Sequence, residues 1–138
     1  MDDLDSLQTE ISILCVEDEP MTREFLVRFI SASFPEKKVH TAENGQAGLE
    51  CFRESRIDIV LTDIKMPVMD GIRMAREIRL LKPEACIIAM TAQDDHDLPK
   101  DALNLFDRHV LKPVSRKCLC EAVGECITLI NAKSPESG

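Results

Sequence analysis

Two apolar runs that end in acidic residues constrain the fold of this chain more than any other feature. Residues 11–16 run directly into the acidic triplet at 17–19, and residues 57–62 run into Asp63. A nearly continuous apolar run of this length is typical of a parallel strand covered on both faces. If the two runs form neighbouring parallel strands, their carboxylates meet at one sheet edge. Carboxylates crowded together repel one another, so such a cluster usually needs a divalent cation.

The composition narrows the classes of function. A chain of 138 residues with 44% hydrophobic and 30% charged residues predicts one globular domain with a buried core. The net charge of -8 argues against direct binding to nucleic acid, because a phosphate backbone must be neutralised by cations. No apolar stretch approaches the length of a membrane span, and the acidic start of the chain is unlike a signal peptide. We therefore expect a cytoplasmic protein without membrane association.

The cysteines are interpreted as reduced and structural. None of the six forms a C-x-x-C pair, and several lie inside apolar runs, where a free thiol behaves as a small hydrophobic group. They are Cys15, Cys51, Cys86, Cys118, Cys120 and Cys126.

Strand-length apolar runs alternate with segments of helical periodicity along the whole chain. Strands are predicted at residues 11–16, 38–42, 57–62, 86–90 and 109–111, and helices at 20–32, 45–53, 71–81, 99–106 and 116–130. Five successive β-α units predict a doubly wound α/β sandwich. Residues 1–10 are predicted to form a flexible leader, residues 11–131 the domain, and residues 132–138 a flexible tail or the start of a linker.

Polar residues follow four of the predicted strands, at the edge where an open α/β sheet binds its ligands. Glu17 and Asp18 follow the first strand, Asp63 ends the third, Thr91 follows the fourth and Lys112 follows the fifth. Each has a simpler interpretation on its own, since Asp18 or Glu19 could cap a helix, Asp70-Gly71 could form only a turn, and Lys112 could be a surface lysine. Their joint placement at strand ends favours a site.

These residues fit phosphoryl transfer to a carboxylate. Asp63 would act as the nucleophile and form an acyl phosphate. A cation such as Mg2+ would offset the charge of Asp63 and of the incoming phosphoryl group. Lys112 would supply a positive charge and Thr91 a hydroxyl donor to phosphoryl oxygens, and the small Ala92 would leave room for the group.

The chain resembles the receiver domain of bacterial two-component response regulators over roughly residues 11–131. The matching residues are Val16-Glu17-Asp18-Glu19, Asp63 with Met66-Pro67 and Met69-Asp70-Gly71, then Thr91-Ala92 and Lys112-Pro113. The resemblance implies a flavodoxin-like (βα)5 fold with a five-stranded parallel sheet of order 2-1-3-4-5. The strand order follows from the resemblance and not from the residues of the motifs.

The resemblance also implies a metal site. Asp63 would be the phosphoacceptor in a Mg2+-dependent reaction, in which Mn2+ could substitute. Asp18 would bind the metal directly, Glu17 would bind it through water, and the backbone carbonyl of Lys65 would complete the protein ligands.

Further roles follow from the same resemblance. Thr91 and Lys112 would contact the phosphoryl group, and the peptide bond between Lys112 and Pro113 would be cis. The phosphodonor would be a phosphohistidine on a sensor histidine kinase or a histidine phosphotransfer protein. The chain would promote its own phosphorylation and dephosphorylation without being a conventional turnover enzyme. It would signal to an unidentified effector through its fourth helix, fifth strand and fifth helix, as a monomer or as a phosphorylation-dependent dimer.

Departures from the family pattern keep other interpretations open. His109 occupies the position of the switch aromatic, so it either couples to Thr91 or lies exposed at a strand end. Pro99 is tolerated only in the first turn of a helix, which predicts a short fourth helix that starts near Leu98. His96 in the same segment is weak evidence for a metal ligand. By resemblance Lys65 and Gln93 would set the lifetime of the phosphoryl group.

Three alternative functions make different demands on these residues. A degenerate receiver could act as a phosphorylation-independent binding module. A haloacid-dehalogenase-type phosphatase would need a second aspartate where Lys65 stands, and a flavodoxin-like cofactor binder would need a phosphate-binding loop where residues 17–19 are acidic.

Overall fold

The computed structural model describes residues 11–92 and 100–133, which form a parallel five-stranded sheet with helices on both faces. The strands are β1 (Ser12–Val16), β2 (Lys38–Ala42), β3 (Ile59–Asp63), β4 (Cys86–Thr91) and β5 (Arg108–Leu111). The helices are α1 (Pro20–Ser33), α2 (Gly45–Glu54), α3 (Gly71–Leu81), α4 (Lys100–Leu103) and α5 (Arg116–Lys133). The strand order is β2-β1-β3-β4-β5, which confirms the predicted flavodoxin-like fold.

The core lies on both faces of the sheet, which explains why the central strands lack polar alternation. All five residues of β1 are buried, and so are all five of β3. One set of their side chains packs with Leu49 of α2 and with Met74 and Ile78 of α3. The other set packs with Ile30 of α1 and Val123 of α5. Because each strand contacts helices on both sides, both sets of alternating residues must be apolar.

Three predicted boundaries were wrong by two residues or more. Strand β3 begins at Ile59, because Asp58 uses its carboxylate to accept a hydrogen bond from Ser12 N at 3.0 Å. Helix α5 continues to Lys133, beyond the predicted end at residue 130 and into the predicted tail. Helix α4 ends at Leu103, not at Phe106.

The early end of α4 has a visible cause in the contacts of the segment that follows it. Leu105 N donates to Ala102 O and Phe106 N to Leu103 O, so the chain tightens into i to i-3 bonds. Leu105 O accepts from Arg79 Nε at 3.1 Å and from a second guanidinium nitrogen at 2.8 Å. Phe106 then turns into the core. The Arg79 guanidinium thus binds the segment that joins α4 to β5.

Within the described residues, none of the helices is both long and apolar enough to cross a membrane. The predicted leader at 1–10 lies outside the described residues, as do 134–138 of the predicted tail. Gln93, His96 and Pro99, which precede α4 in the sequence, also lie outside the described residues.

Candidate functional site

Three carboxylates meet at the carboxyl edge of the sheet. Strands β1 and β3 are paired with Val16 opposite Thr62, so Glu17 and Asp63 each stand one residue further along. Oxygen atoms of Glu17, Asp18 and Asp63 all lie within 4.8 Å of one another. Glu17 and Asp63 are buried, whereas Asp18 is exposed and open to a ligand from solvent.

The carboxylate of Glu17 is only partly satisfied by the protein. Its Oε2 accepts a hydrogen bond from Glu19 N at 3.2 Å, whereas its buried Oε1 has no partner among the described residues. Burial raises the pKa of Glu17 to about 7, against the lowering effect of the bond from Glu19, and the nearby charges of Asp63 and Asp18 also favour the protonated form. A buried, unpartnered carboxylate oxygen beside two more carboxylates fits a hard divalent cation with oxygen ligands, such as Mg2+. The residues present therefore suit the metal.

Both carboxylate oxygen atoms of Asp63 accept a hydrogen bond. Oδ1 accepts from Ile64 N at 2.8 Å, and Oδ2 accepts from Lys112 Nζ at 2.8 Å. Burial alone would lower the pKa of the Lys112 ammonium, but the hydrogen bond and charge of Asp63, with the charge of Glu17, outweigh it and raise that pKa. Lys112 thus places a positive charge directly beside a buried carboxylate.

The backbone at the end of β4 and β5 sets the position of Lys112. Its N donates to Thr91 O at 2.7 Å, and the bond from Lys112 to Pro113 is cis. Thr91 is the last residue of β4 and is half-buried. Because Met90 lies opposite Asp63 in the β3–β4 register, Thr91 stands one residue beyond Asp63 on the neighbouring strand.

The loop after Asp63 folds tightly back onto it. Gly71 N donates to Ile64 O at 2.8 Å, and a Cβ atom at Gly71 would collide with the Asp63 carbonyl oxygen. Asp70 caps α3 by accepting from Arg73 N at 2.9 Å. The Asp70-Gly71 pair, which alone predicts a turn, thus caps a helix and permits this close approach. Lys65 lies in the same loop with an exposed side chain.

Glu19 belongs to helix α1 and not to the carboxylate cluster. Its Oε1 accepts from Thr22 N at 2.7 Å, which is the hydrogen bond of a helix N-cap. A contact that the sequence did not indicate lies next to it, since Arg23 donates to Glu17 O at 2.8 Å. That bond fixes the backbone from which the Glu17 carboxylate projects.

His109 is exposed on β5. Its ring meets the edge of Phe106 with centroids 5.8 Å apart and planes inclined by 72°. His109 therefore lies at the surface, as the simpler of the two interpretations predicted. Its contact with Phe106 was not indicated by the sequence.

The comparison with known families matches this geometry. The model described as the response regulator receiver domain matches residues 13–124. The chain belongs to this family of receiver domains. Receiver domains are signalling domains of two-component systems, which agrees with the family resemblance found in the sequence.

Relatives with similar sequences are longer than this chain. It is 34% identical over 113 residues to an uncharacterised response regulatory protein of Vibrio cholerae, covering 78% of this chain and 41% of that protein. It is 32% identical to the transcriptional regulatory protein AfsQ1 of Streptomyces coelicolor, covering 78% of this chain and 47% of that one. This receiver domain thus spans less than half the length of either relative.

A solved structure shows the same fold. The receiver domain protein from Clostridium thermocellum superposes with a TM-score of 0.79 at 29% identity, covering 86% of this chain and 95% of that one.

Proposed function

We propose that this receiver domain is a cytoplasmic signalling switch in which Asp63 accepts a phosphoryl group from a phosphohistidine. The donor is a sensor histidine kinase or a histidine phosphotransfer protein. The observation that carries the proposal is the 2.8 Å bond from Lys112 Nζ to Asp63 Oδ2 at the edge where Glu17 and Asp18 also lie. A carboxylate nucleophile needs nearby positive charge to receive an anionic group, and Lys112 supplies it.

The two carboxylate oxygen atoms of Asp63 differ in how easily their hydrogen-bond donors can move away. Oδ1 is bound by the backbone of Ile64, which cannot move away without distorting the loop, whereas Oδ2 is bound by a flexible lysine. We assign Oδ2 as the attacking oxygen. It forms the new P–O bond as the P–N bond of the phosphohistidine breaks, and the departing imidazole nitrogen takes up a proton from solvent. Lys112 then pairs with an oxygen of the transferred group, and Thr91 donates its hydroxyl to another.

Glu17, Asp18 and Asp63, with the backbone carbonyl of Lys65, would hold Mg2+ or Mn2+. The cation supplies positive charge that offsets the repulsion between these carboxylates and the incoming phosphoryl group. The unpartnered Oε1 of Glu17 supports this assignment.

Phosphorylation alters the surface formed by α4, β5 and α5. The acyl phosphate adds negative charge and acceptor oxygens where Asp63 had one shared carboxylate. Thr91 and Lys112 end two neighbouring strands and are joined by a backbone bond of 2.7 Å. When their side chains turn to the phosphoryl group, the start of α4 and the exposed face of β5, including His109, rearrange together. An effector reads that change, and a second copy of the chain is one candidate reader.

The test is an intact-mass measurement after incubation with acetyl phosphate, with and without Mg2+. We expect the gain of one phosphoryl group that requires Mg2+ and is abolished by Asp63→Asn. The matched control is Asp70→Asn, because Asp70 follows the same strand but only caps α3, a role that asparagine fills equally well. Equal labelling of the Asp63 variant would refute the assignment.

A second arm tests the donor. A phosphohistidine protein replaces acetyl phosphate, and transfer is followed by loss of label from the histidine. A chain that binds this partner with equal affinity before and after Asp63→Asn, and is never labelled, would be a phosphorylation-independent binding module instead.

A further inference from the structure

A basic groove lies at the opposite edge of the sheet, beside the first residues of β1 and β2. Two adjoining cavities form it, with volumes of about 360 and about 300 Å3, and both are lined by Ser55 and Arg56. The other side chains that matter here are Phe52, Arg53, Leu81 and Lys82 in the larger cavity and Lys38 in the smaller. We call these residues together the basic groove.

The groove has more positive than negative charge, although the whole chain carries -8. Among the described residues, no carboxylate lines either cavity. The adjacent Asp58 is buried and is shared by two cations, with Oδ1 at 3.4 Å from Lys82 Nζ and at 3.8 Å from Arg56 Nε. Arg53 and Arg56 are exposed. One buried carboxylate therefore faces two cations, and Arg53 adds a third positive charge to the same surface.

We propose that residues 1–10 of this chain bind in the basic groove. This segment, Met-Asp-Asp-Leu-Asp-Ser-Leu-Gln-Thr-Glu, contains four acids and no lysine or arginine, and we call it the acidic leader. The sequence alone predicts a flexible leader. Its charge and its point of attachment argue for a bound one, and the argument is independent of phosphorylation at Asp63.

The leader joins the described chain at the groove itself. It is continuous with Ile11, which is buried, and Ser12 lines the smaller cavity. Ser12 is fixed there from both sides of its peptide, since its N donates to the Asp58 carboxylate and its O accepts from Asp58 N at 2.9 Å. The point at which the leader is attached therefore lies beside these cations. Ten residues can extend by up to about 35 Å, which is ample to follow the groove.

The leader also suits the apolar part of the groove. Its leucines, Leu4 and Leu7, have an apolar partner available in Leu81, which is 50% exposed. Each exposed ion pair is weak and is screened by salt. Attachment to Ile11 makes the binding intramolecular, so the local concentration of the leader is high and weak contacts suffice.

A charge exchange in the chain of 138 residues tests the proposal. The groove variant is Arg53→Glu with Arg56→Glu, the leader variant is Asp3→Lys with Asp5→Lys, and the rescue variant carries all four changes. The measurement is by 15N NMR: backbone order parameters of residues 3–9, and the amide shifts of Ser55 and position 56. We expect order parameters of about 0.8 in the native chain at low salt. They should fall below about 0.6 in the groove variant and in the leader variant, and recover in the rescue variant.

The matched control is Arg116→Glu with Lys117→Glu, two exposed cations at the start of α5. It changes the net charge by the same amount and should leave the leader ordered. Equal order parameters in the native chain and the groove variant would overturn the proposal.

An added-anion arm separates the remaining occupants. If inorganic phosphate, or an acidic peptide of unrelated sequence, shifts the groove amides of the native chain while leader amides stay unchanged, the groove holds an external anion and the proposal is wrong. If the leader amides shift together with the groove amides as the added anion displaces them, the proposal is supported.

Discussion

Gly71→Ala isolates the close approach between helix α3 and the residue that we assign as phosphoacceptor. An added Cβ would lie 3.1 Å from Ile64 Cα and still closer to the Asp63 carbonyl oxygen, so it meets backbone on two sides. Overpacking of this kind costs about 1–3 kcal/mol of unfolding free energy, and rigid backbone favours the upper part of that range. With a urea slope of about 2 kcal/mol/M, a loss of about 2 kcal/mol lowers the unfolding midpoint by about 1 M.

Gly124→Ala is the matched control, since it makes the same change in a helix where space exists. The new Cβ would meet only Phe34 Cζ, at 3.8 Å, which is ordinary contact. Replacing a mid-helix glycine by alanine adds about 0.5–1 kcal/mol, which raises the midpoint by about 0.3–0.5 M. Far-UV circular dichroism is the assay, because the chain has no Trp and no Tyr. A midpoint for Gly71→Ala at or above that of the native chain would refute the reasoning.

Three further predictions concern other parts of the fold. Arg79→Met should lower the free energy of unfolding in urea by about 2–4 kcal/mol, because the Arg79 guanidinium binds three carbonyls and a carboxylate. Arg76→Met, the control, removes an exposed 3.5 Å ion pair and should lower it by less than about 1 kcal/mol. Val68→Asn should raise stability by about 1 kcal/mol, because Val68 has φ 69°, and asparagine tolerates this conformation far better; an unchanged midpoint would contradict stored strain. Cys118 is exposed and should react at once with a thiol reagent, whereas burial raises the pKa of Cys15 to about 12 and should confine its reaction to unfolded chains, as peptide mapping after timed labelling would show.

The strands that carry the site were predictable because burial on both faces leaves little choice of residue. β1 and β3 contact helices on either side, so their ends are marked by the first acids, at Glu17 and Asp63. The edge strand β5 is only partly buried, and its shorter apolar pattern predicted its start one residue late. The order of the strands has no such signature in the residues and came from family resemblance alone.

Contacts to backbone atoms left no pattern in the sequence. Arg79 is one of several arginines in the amphipathic helix α3, and what distinguishes it is the carbonyl of Leu105, which no residue type encodes. The i to i-3 bonds of Leu105 and Phe106 left no pattern either, so the end of α4 was predicted at Phe106. Gly71 shows the same limit, since Asp-Gly is common in turns and its contact with the Asp63 carbonyl depends on tertiary packing.

The sheet keeps its two charged edges electrostatically separate. Five residues of β3 run from the basic-groove edge to Asp63, a rise of about 13 Å at about 3.3 Å per step. That distance exceeds the Debye length of about 8 Å at physiological ionic strength, so charges at one edge are largely screened from the other. The groove variant should therefore release the leader while labelling of Asp63 by acetyl phosphate proceeds at the native rate. Slower labelling at physiological salt, with unchanged stability, would mean that the strands themselves transmit a structural change between the edges.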